Sequence, residues 1–173
     1  MTDTATGAVP GLARRLAAFV YEGLLLFALA VLTGLVYSPL VDQRNAMVHR
    51  TGLIVSLACV FAVYFVYFWS RSGQTLPMRT WRFKLTRLDG APLSPAHALL
   101  RHVLSYAWWV LPIAAASQML HHGLGIGSVS LIVILALLGY ALLALVLPGQ
   151  QFLHDVLCKT MLVHHDPKKT APQ

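Results

Sequence analysis

Charge is scarce in this chain. Of its 173 residues, 13 are Lys or Arg and 6 are Asp or Glu, so charged residues make up 11 %. A soluble domain carries about 25 %. Hydrophobic residues reach 57 %, against roughly 45–50 % in a soluble domain. This balance excludes an ordinary soluble fold and points to an integral membrane protein. Cysteine is nearly absent: Cys59 lies in an apolar run and Cys158 in a polar segment, so no disulfide framework is expected. There is no Cys-x-x-Cys or His-Glu-x-x-His spacing, no Gly-rich phosphate loop and no nucleophile motif. The expectation is therefore no enzyme activity, no metal and no cofactor. His121-His122 and His164-His165 read as solvated polar residues. The net charge of +7 does not imply nucleic acid, because the basic residues flank apolar runs and form no arm with aromatics.

What the sequence does have is long apolar runs. Residues 16–36, 53–69, 103–120 and 129–147 each approach the roughly 17–25 residues that cross a bilayer. The expected fold is an all-α membrane protein, a bundle of four transmembrane helices. Pro112 should kink the third span. Eleven of the 13 basic residues fall at the N-terminus, between spans two and three, or after span four; Arg44 and Arg50 are the exceptions. Lys and Arg collect on the cytoplasmic side, so both termini are expected there. Residues 1–13 and 166–173 are expected to be disordered tails around a domain of residues 14–165.

The connection at residues 70–102 carries structure of its own. "RFKLTRL", Arg82–Leu88, alternates in polarity like a strand. Asp89-Gly90 signals a turn, and Ser94 followed by Pro95 caps a helix. A lone strand leaves backbone groups unpaired. The other strand-like stretch on the same side is Cys158–His165, which predicts a cytoplasmic two-stranded element pairing Arg82–Leu88 with Lys159–His164.

Glu22 interrupts the first span. A carboxylate in hydrocarbon costs at least about 2.5 kcal/mol and usually faces a wet cavity or a partner. Arg15 lies seven residues earlier, on the same helical face and about 10 Å away along the axis. Asp155 follows the fourth span on the same side, next to His154, which titrates near neutral pH. An Arg15–Glu22–Asp155 group at the inner mouth of the bundle is expected. It admits two readings: ion or proton handling by Glu22, Asp155, Arg15 and His154, or a polar network that pins the helices together.

"ARRLAAFVYE", "SGQTLPMRTWRFKL", "DGAPLSPAHALLRH" and "QFLHDVLCKTMLV" occur in this order. Together they resemble the RDD family of small bacterial membrane proteins, from about Arg14 to Val163. The resemblance places the family's arginine at Arg15, its first aspartate at Glu22 and its second at Asp155. Gly73, Gln74, Thr75 and Leu76 match the family's loop, while Pro77 and Met78 depart from it and leave Arg79 as the nearest cation. The resemblance implies a multi-pass protein of the bacterial inner membrane and transport of a cation or small solute, with cation/proton antiport among family members. The alternative is a noncatalytic scaffold whose basic face meets anionic lipids or a protein. A single small bundle has little room for a pathway, so transport implies a homo-oligomer.

Overall fold

In lipid an unpaired backbone N–H or C=O costs several kcal/mol, so apolar runs fold as helices. The computed structural model describes residues 9–42 and 49–165. Arg44, Lys168, Lys169 and most of both expected tails lie outside the described residues. In chain order the elements are α1 (Leu12–Leu40), α2 (Arg50–Arg71), α3 (Leu76–Thr80), β1 (Phe83–Arg87), α4 (Pro95–Ser105), α5 (Ala107–His121), α6 (Ile126–Val146), α7 (Leu153–Leu157) and β2 (Thr160–His164). Four helical segments are long and apolar enough to cross a membrane: α1, α2, α4 continued by α5, and α6.

Most helix ends outrun the apolar runs that announced them, because a run stops at the first polar residue while a hydrogen-bond ladder stops at a cap or breaker. The helix of α1 already includes Leu12 and Ala13, residues expected in the tail. The third span begins at Pro95, where the Ser94 hydroxyl accepts the His97 N–H at 3.3 Å. It breaks at Tyr106, whose N–H bonds the Val103 carbonyl. The break does not fall at Pro112, which sits inside an unbroken α5.

The expected two-stranded element is present. β1 and β2 pair antiparallel, with Phe83 opposite His164, Leu85 opposite Leu162 and Arg87 opposite Thr160. The loop after β1 turns at Gly90 (φ +78°), and the Asp89 carboxylate accepts the Ala91 N–H. Beneath the sheet lies the buried apolar core, with Ala18, Trp69, Met78, Leu85, Ala98 and Phe152 among its members. The opposite half of the bundle turns large apolar side chains such as Phe27, Leu35 and Leu135 outward. That is the arrangement a lipid solvent selects.

The two strands end two copies of one unit. Gln74 and Gln151, the five-residue helices starting at Leu76 and Leu153, the left-handed residues Arg82 (φ +55°) and Lys159 (φ +52°), and the strands starting at Phe83 and Thr160 all correspond. Each pair is 77 positions apart (162 − 85 for the central leucines). Both glutamines are buried and hold the strand that follows them. Gln74 Nε2 donates to the Phe83 carbonyl at 2.8 Å, and Gln151 Oε1 accepts the Leu162 N–H at 3.0 Å. Leu85 and Leu162 are equivalent and also paired, so a local two-fold axis passes between them. Each unit follows a pair of spans, which makes the chain two tandem halves.

Gly73 is fixed by two constraints. Its φ is +69°, and a Cβ there would lie 2.6 Å from the Leu85 carbonyl oxygen. Gly90 has φ +78° with nothing within 4 Å of such a Cβ. The left-handed conformation alone costs an alanine about 1–2 kcal/mol. Gly73→Ala should therefore lower the melting temperature of the detergent-solubilised protein clearly more than Gly90→Ala does. Equal shifts in the two variants would contradict the close packing of Gly73 on β1.

Candidate functional site

Two polar clusters stand at the sheet-bearing end of the bundle. The first surrounds Glu22. Its Oε1 accepts the Tyr64 hydroxyl at 2.6 Å and its Oε2 the Thr75 hydroxyl at 2.5 Å. Thr75 is fully buried and also caps α3 by accepting the Met78 N–H. The cap thus ties α3 to the span that carries the carboxylate. Among the described residues no cation lies within ion-pair distance of Glu22.

The second cluster surrounds Asp155, which is 0 % exposed. Arg101 grips its Oδ1 through Nε and Nη2, both at 2.7 Å, and Thr160 donates to the same oxygen at 3.0 Å. The guanidinium of Arg101 also lies 4.3 Å from the Trp69 ring centroid. Arg101 Nη2 donates to His154 Nε2 at 3.3 Å, so Nε2 accepts and Nδ1 carries the proton, which it donates to the Tyr140 hydroxyl at 2.9 Å. His97 Nε2 donates to the Cys158 carbonyl at 2.6 Å and fastens α4 to the end of α7. Burial pushes the Cys158 thiol up, and neither cysteine is in a disulfide.

Arg15 belongs to neither cluster by direct bonding. It is 3 % exposed, donates from Nη1 to the Gln150 carbonyl at 2.7 Å and lies 5.0 Å from the Phe152 ring centroid. Asp155 acts on it electrostatically, but no ion pair joins them. The expected Arg15–Glu22–Asp155 group is therefore divided. Glu22 is bonded to hydroxyls, Asp155 to Arg101, and Arg15 to a carbonyl. Of the loop motif, Gly73 and Gln74 hold β1, Thr75 binds Glu22, and Arg79 is exposed.

Arg15, Glu22, Arg101 and His154 all line one cavity of about 500 Å³ between the two halves. Its wall is mainly aromatic and aliphatic, with Phe61, Phe65, Trp69 and Phe152 from both halves. Phe83 and Leu162 bring the sheet to it.

Sequence reasoning missed Tyr64, Tyr140 and the pairing role of Arg101. The two tyrosines gave a signal: each is a hydroxyl inside an apolar run, in the second span of its half. Arg101 gave none, since its partner lies 54 residues away (155 − 101).

Removing Arg101 alone would leave Asp155 buried without its cation, a loss of about 3–5 kcal/mol. Arg101→Met should destabilise by that order, and Arg101→Met with Asp155→Leu by clearly less than the two single changes combined. Additive losses in a double-mutant cycle would show that the pair is not coupled.

Burial pushes the His154 imidazole down to about 4; Asp155 opposes this and Arg101 reinforces it. In the unfolded chain the ring takes up its proton near 6.5. The unfolded state then binds protons first, so stability is full above about 6.5 and falls as pH drops toward about 4. The melting temperature should decline over this window, and His154→Gln should reduce the decline. An unchanged pH profile in that variant would contradict a neutral, buried His154.

No curated protein and no solved structure matches the chain. The profile of the RDD family matches residues 9–159 and so takes in α1 with Arg15 and Glu22, the Gly73–Thr75 loop, and Asp155. With four helical segments able to cross a membrane and a match over most of its length, the chain is a membrane-type protein that belongs to the RDD family.

Proposed function

We propose that this protein lies in a bacterial inner membrane with both termini cytoplasmic and moves a small solute or cation, with Glu22 as its exchangeable carboxylate. The observation that carries the reading is Glu22 itself: a buried carboxylate on the wall of a cavity of about 500 Å³, held by two hydroxyls and, among the described residues, by no cation. A buried charge of this kind needs a proton or a bound cation to balance it. The hydroxyls suit both states. Toward an ionised Glu22 both donate. Toward a protonated Glu22 the Tyr64 oxygen turns acceptor, since a hydroxyl does either. Cavity and carboxylate lie where the two halves meet, the usual place for a site in repeat-built transporters. A homo-oligomer would extend the pathway beyond one small bundle.

A second reading rests on a different observation. Arg14, Arg71, Arg79, Arg82 and Lys159 are exposed and gather at the sheet-bearing end. Each is worth about 1 kcal/mol near an anionic bilayer surface, which suits a scaffold whose basic face meets anionic lipids.

Liposomes reconstituted with the protein separate these readings. Under imposed pH and sodium gradients the wild type should pass solute or ions, and Glu22→Gln should reduce the flux at least tenfold at equal protein content. Flux undiminished in Glu22→Gln would remove Glu22 from the mechanism. A folded wild type that carries no flux, yet binds anionic vesicles in a salt-dependent way, would favour the scaffold.

A further inference from the structure

Among the described residues Arg15 is a buried cation without a carboxylate bonded to it; its one hydrogen bond there leaves from Nη1, and its Nε has no partner. Nε and Nη2 together form the side-on edge of a guanidinium, the edge that takes both oxygens of a carboxylate. Arg101 differs, because Asp155 already occupies it. A buried charge with a spare donor loses the hydration it would have in water and gains little in return.

Residues lining the same cavity carry further buried polar groups that have no partner among the described residues. They are Trp69 Nε1, the Tyr106 hydroxyl and both ring nitrogens of His102. Trp69 is 5 % exposed and His102 3 %. The rest of the wall is apolar and largely aromatic, with Phe19, Phe61, Phe65 and Phe152. Val20, which is 64 % exposed, shares this wall, so the cavity reaches the outer, lipid-facing surface of α1. Residues that can donate hydrogen bonds thus line a pocket whose surface is otherwise almost wholly hydrocarbon. Such a wall is complementary to a molecule with an acceptor head and an apolar body. The volume is within the range of about 300–1,000 Å³ typical of small-molecule sites.

Charge selects the head. Arg101 and Asp155 cancel, which leaves one positive charge at Arg15. A monoanion balances it. A phosphate monoester brings about −1.5 to −2 charges, more than the one charge of Arg15 balances. A free cation at this end would face both arginines. Glu22 lies about 10 Å farther along α1 and in its protonated state adds no repulsion.

We infer that the cavity binds an organic monocarboxylate, with its head on the Nε–Nη2 edge of Arg15 and its apolar body among Phe19, Phe61, Phe65 and Trp69. The inference rests on the reading of this cavity as a solute site. It assigns that solute a class and places the proton-exchanging Glu22 beside it, which makes the coupled movement of a carboxylate and a proton the corresponding activity.

Binding and flux test the two steps separately. The full chain is placed in nanodiscs of zwitterionic lipid and titrated with octanoate, octan-1-ol and octyl phosphate. Calorimetry and the fluorescence of Trp69 and Trp108 in the cavity wall report binding. Octanoate should bind saturably and at least tenfold more tightly than octanol or octyl phosphate. Arg15→Gln should abolish that preference. Arg15→Lys keeps the charge without the fork and should lose about tenfold, a result that stands even if Arg15→Gln does not fold. Glu22→Gln should reduce flux at least tenfold while octanoate binding stays saturable and keeps its preference over octanol. Equal binding of octanoate and octanol, or no saturable binding, would overturn the inference. Tighter binding of octyl phosphate would overturn the carboxylate class. Octanoate binding without any flux in the wild type would sustain the site and refute transport.

Discussion

The pairing of β1 with β2 is the constraint on which the rest of the structure depends. Either strand alone would leave a row of backbone groups unpaired at the edge of the bilayer, where partners are scarce. Among the described residues the one strand that can match each is the other, 77 positions away (162 − 85). Once they pair, the two halves of the chain are locked in register. Arg101 then meets Asp155, His97 meets the Cys158 carbonyl, and Arg15 meets the Gln150 carbonyl. Each half contributes an even number of spans and returns to the side where it began. The local axis relating the halves therefore runs along the membrane normal, as in parallel repeats.

Symmetry of backbone does not extend to chemistry. Met78 in one half corresponds to Asp155 in the other, and Thr75 corresponds to Phe152. In each half a tyrosine of the second span reaches a polar group at the same level. Tyr64 reaches Glu22, and Tyr140 reaches His154. The two polar clusters are thus built at non-equivalent positions, one around a carboxylate held by hydroxyls and the other around the Arg101–Asp155 ion pair. The cavity lies between them and takes walls from both halves.

The four spans, the strand pair and the Ser94 and Gly90 devices were legible in the sequence because each depends on local chemistry: hydropathy, alternation, a cap, a turn. Glu22 was legible because a carboxylate in an apolar run is conspicuous. Partner choice was not legible. Arg15 and Glu22 share a helical face, which suggested a pair, but a helix sets only the direction of its side chains and not the groups that neighbouring helices bring. Tyr64 and Thr75 arrive from α2 and the α3 cap and saturate Glu22 first. Arg101 arrives from α4 and takes Asp155. The repeat escaped notice for a related reason. It is carried by backbone conformation at Arg82 and Lys159 and by two strand-holding glutamines, while most other equivalent positions differ.

The distribution of charge bears on whether these groups serve packing. One buried carboxylate and one buried guanidinium that bond each other hold two elements at a definite separation, and Arg101 with Asp155 does this for α4 and α7. A second pinning pair would be redundant. Arg15 and Glu22 do not form one. They sit on the same helix, and a bond between them would join α1 only to itself. Each is buried, each has no ion-pair partner among the described residues, and each lines the same cavity. Their bonds to Tyr64, Thr75 and the Gln150 carbonyl tie α1 to its neighbours, and a charge buried without a counter-charge lowers stability. On the proposed reading, a guest that is negative at Arg15, with a proton or cation at Glu22, supplies the missing charge at both places. The structural ion pair then stands at one side of the cavity and the proposed solute and proton groups at the other.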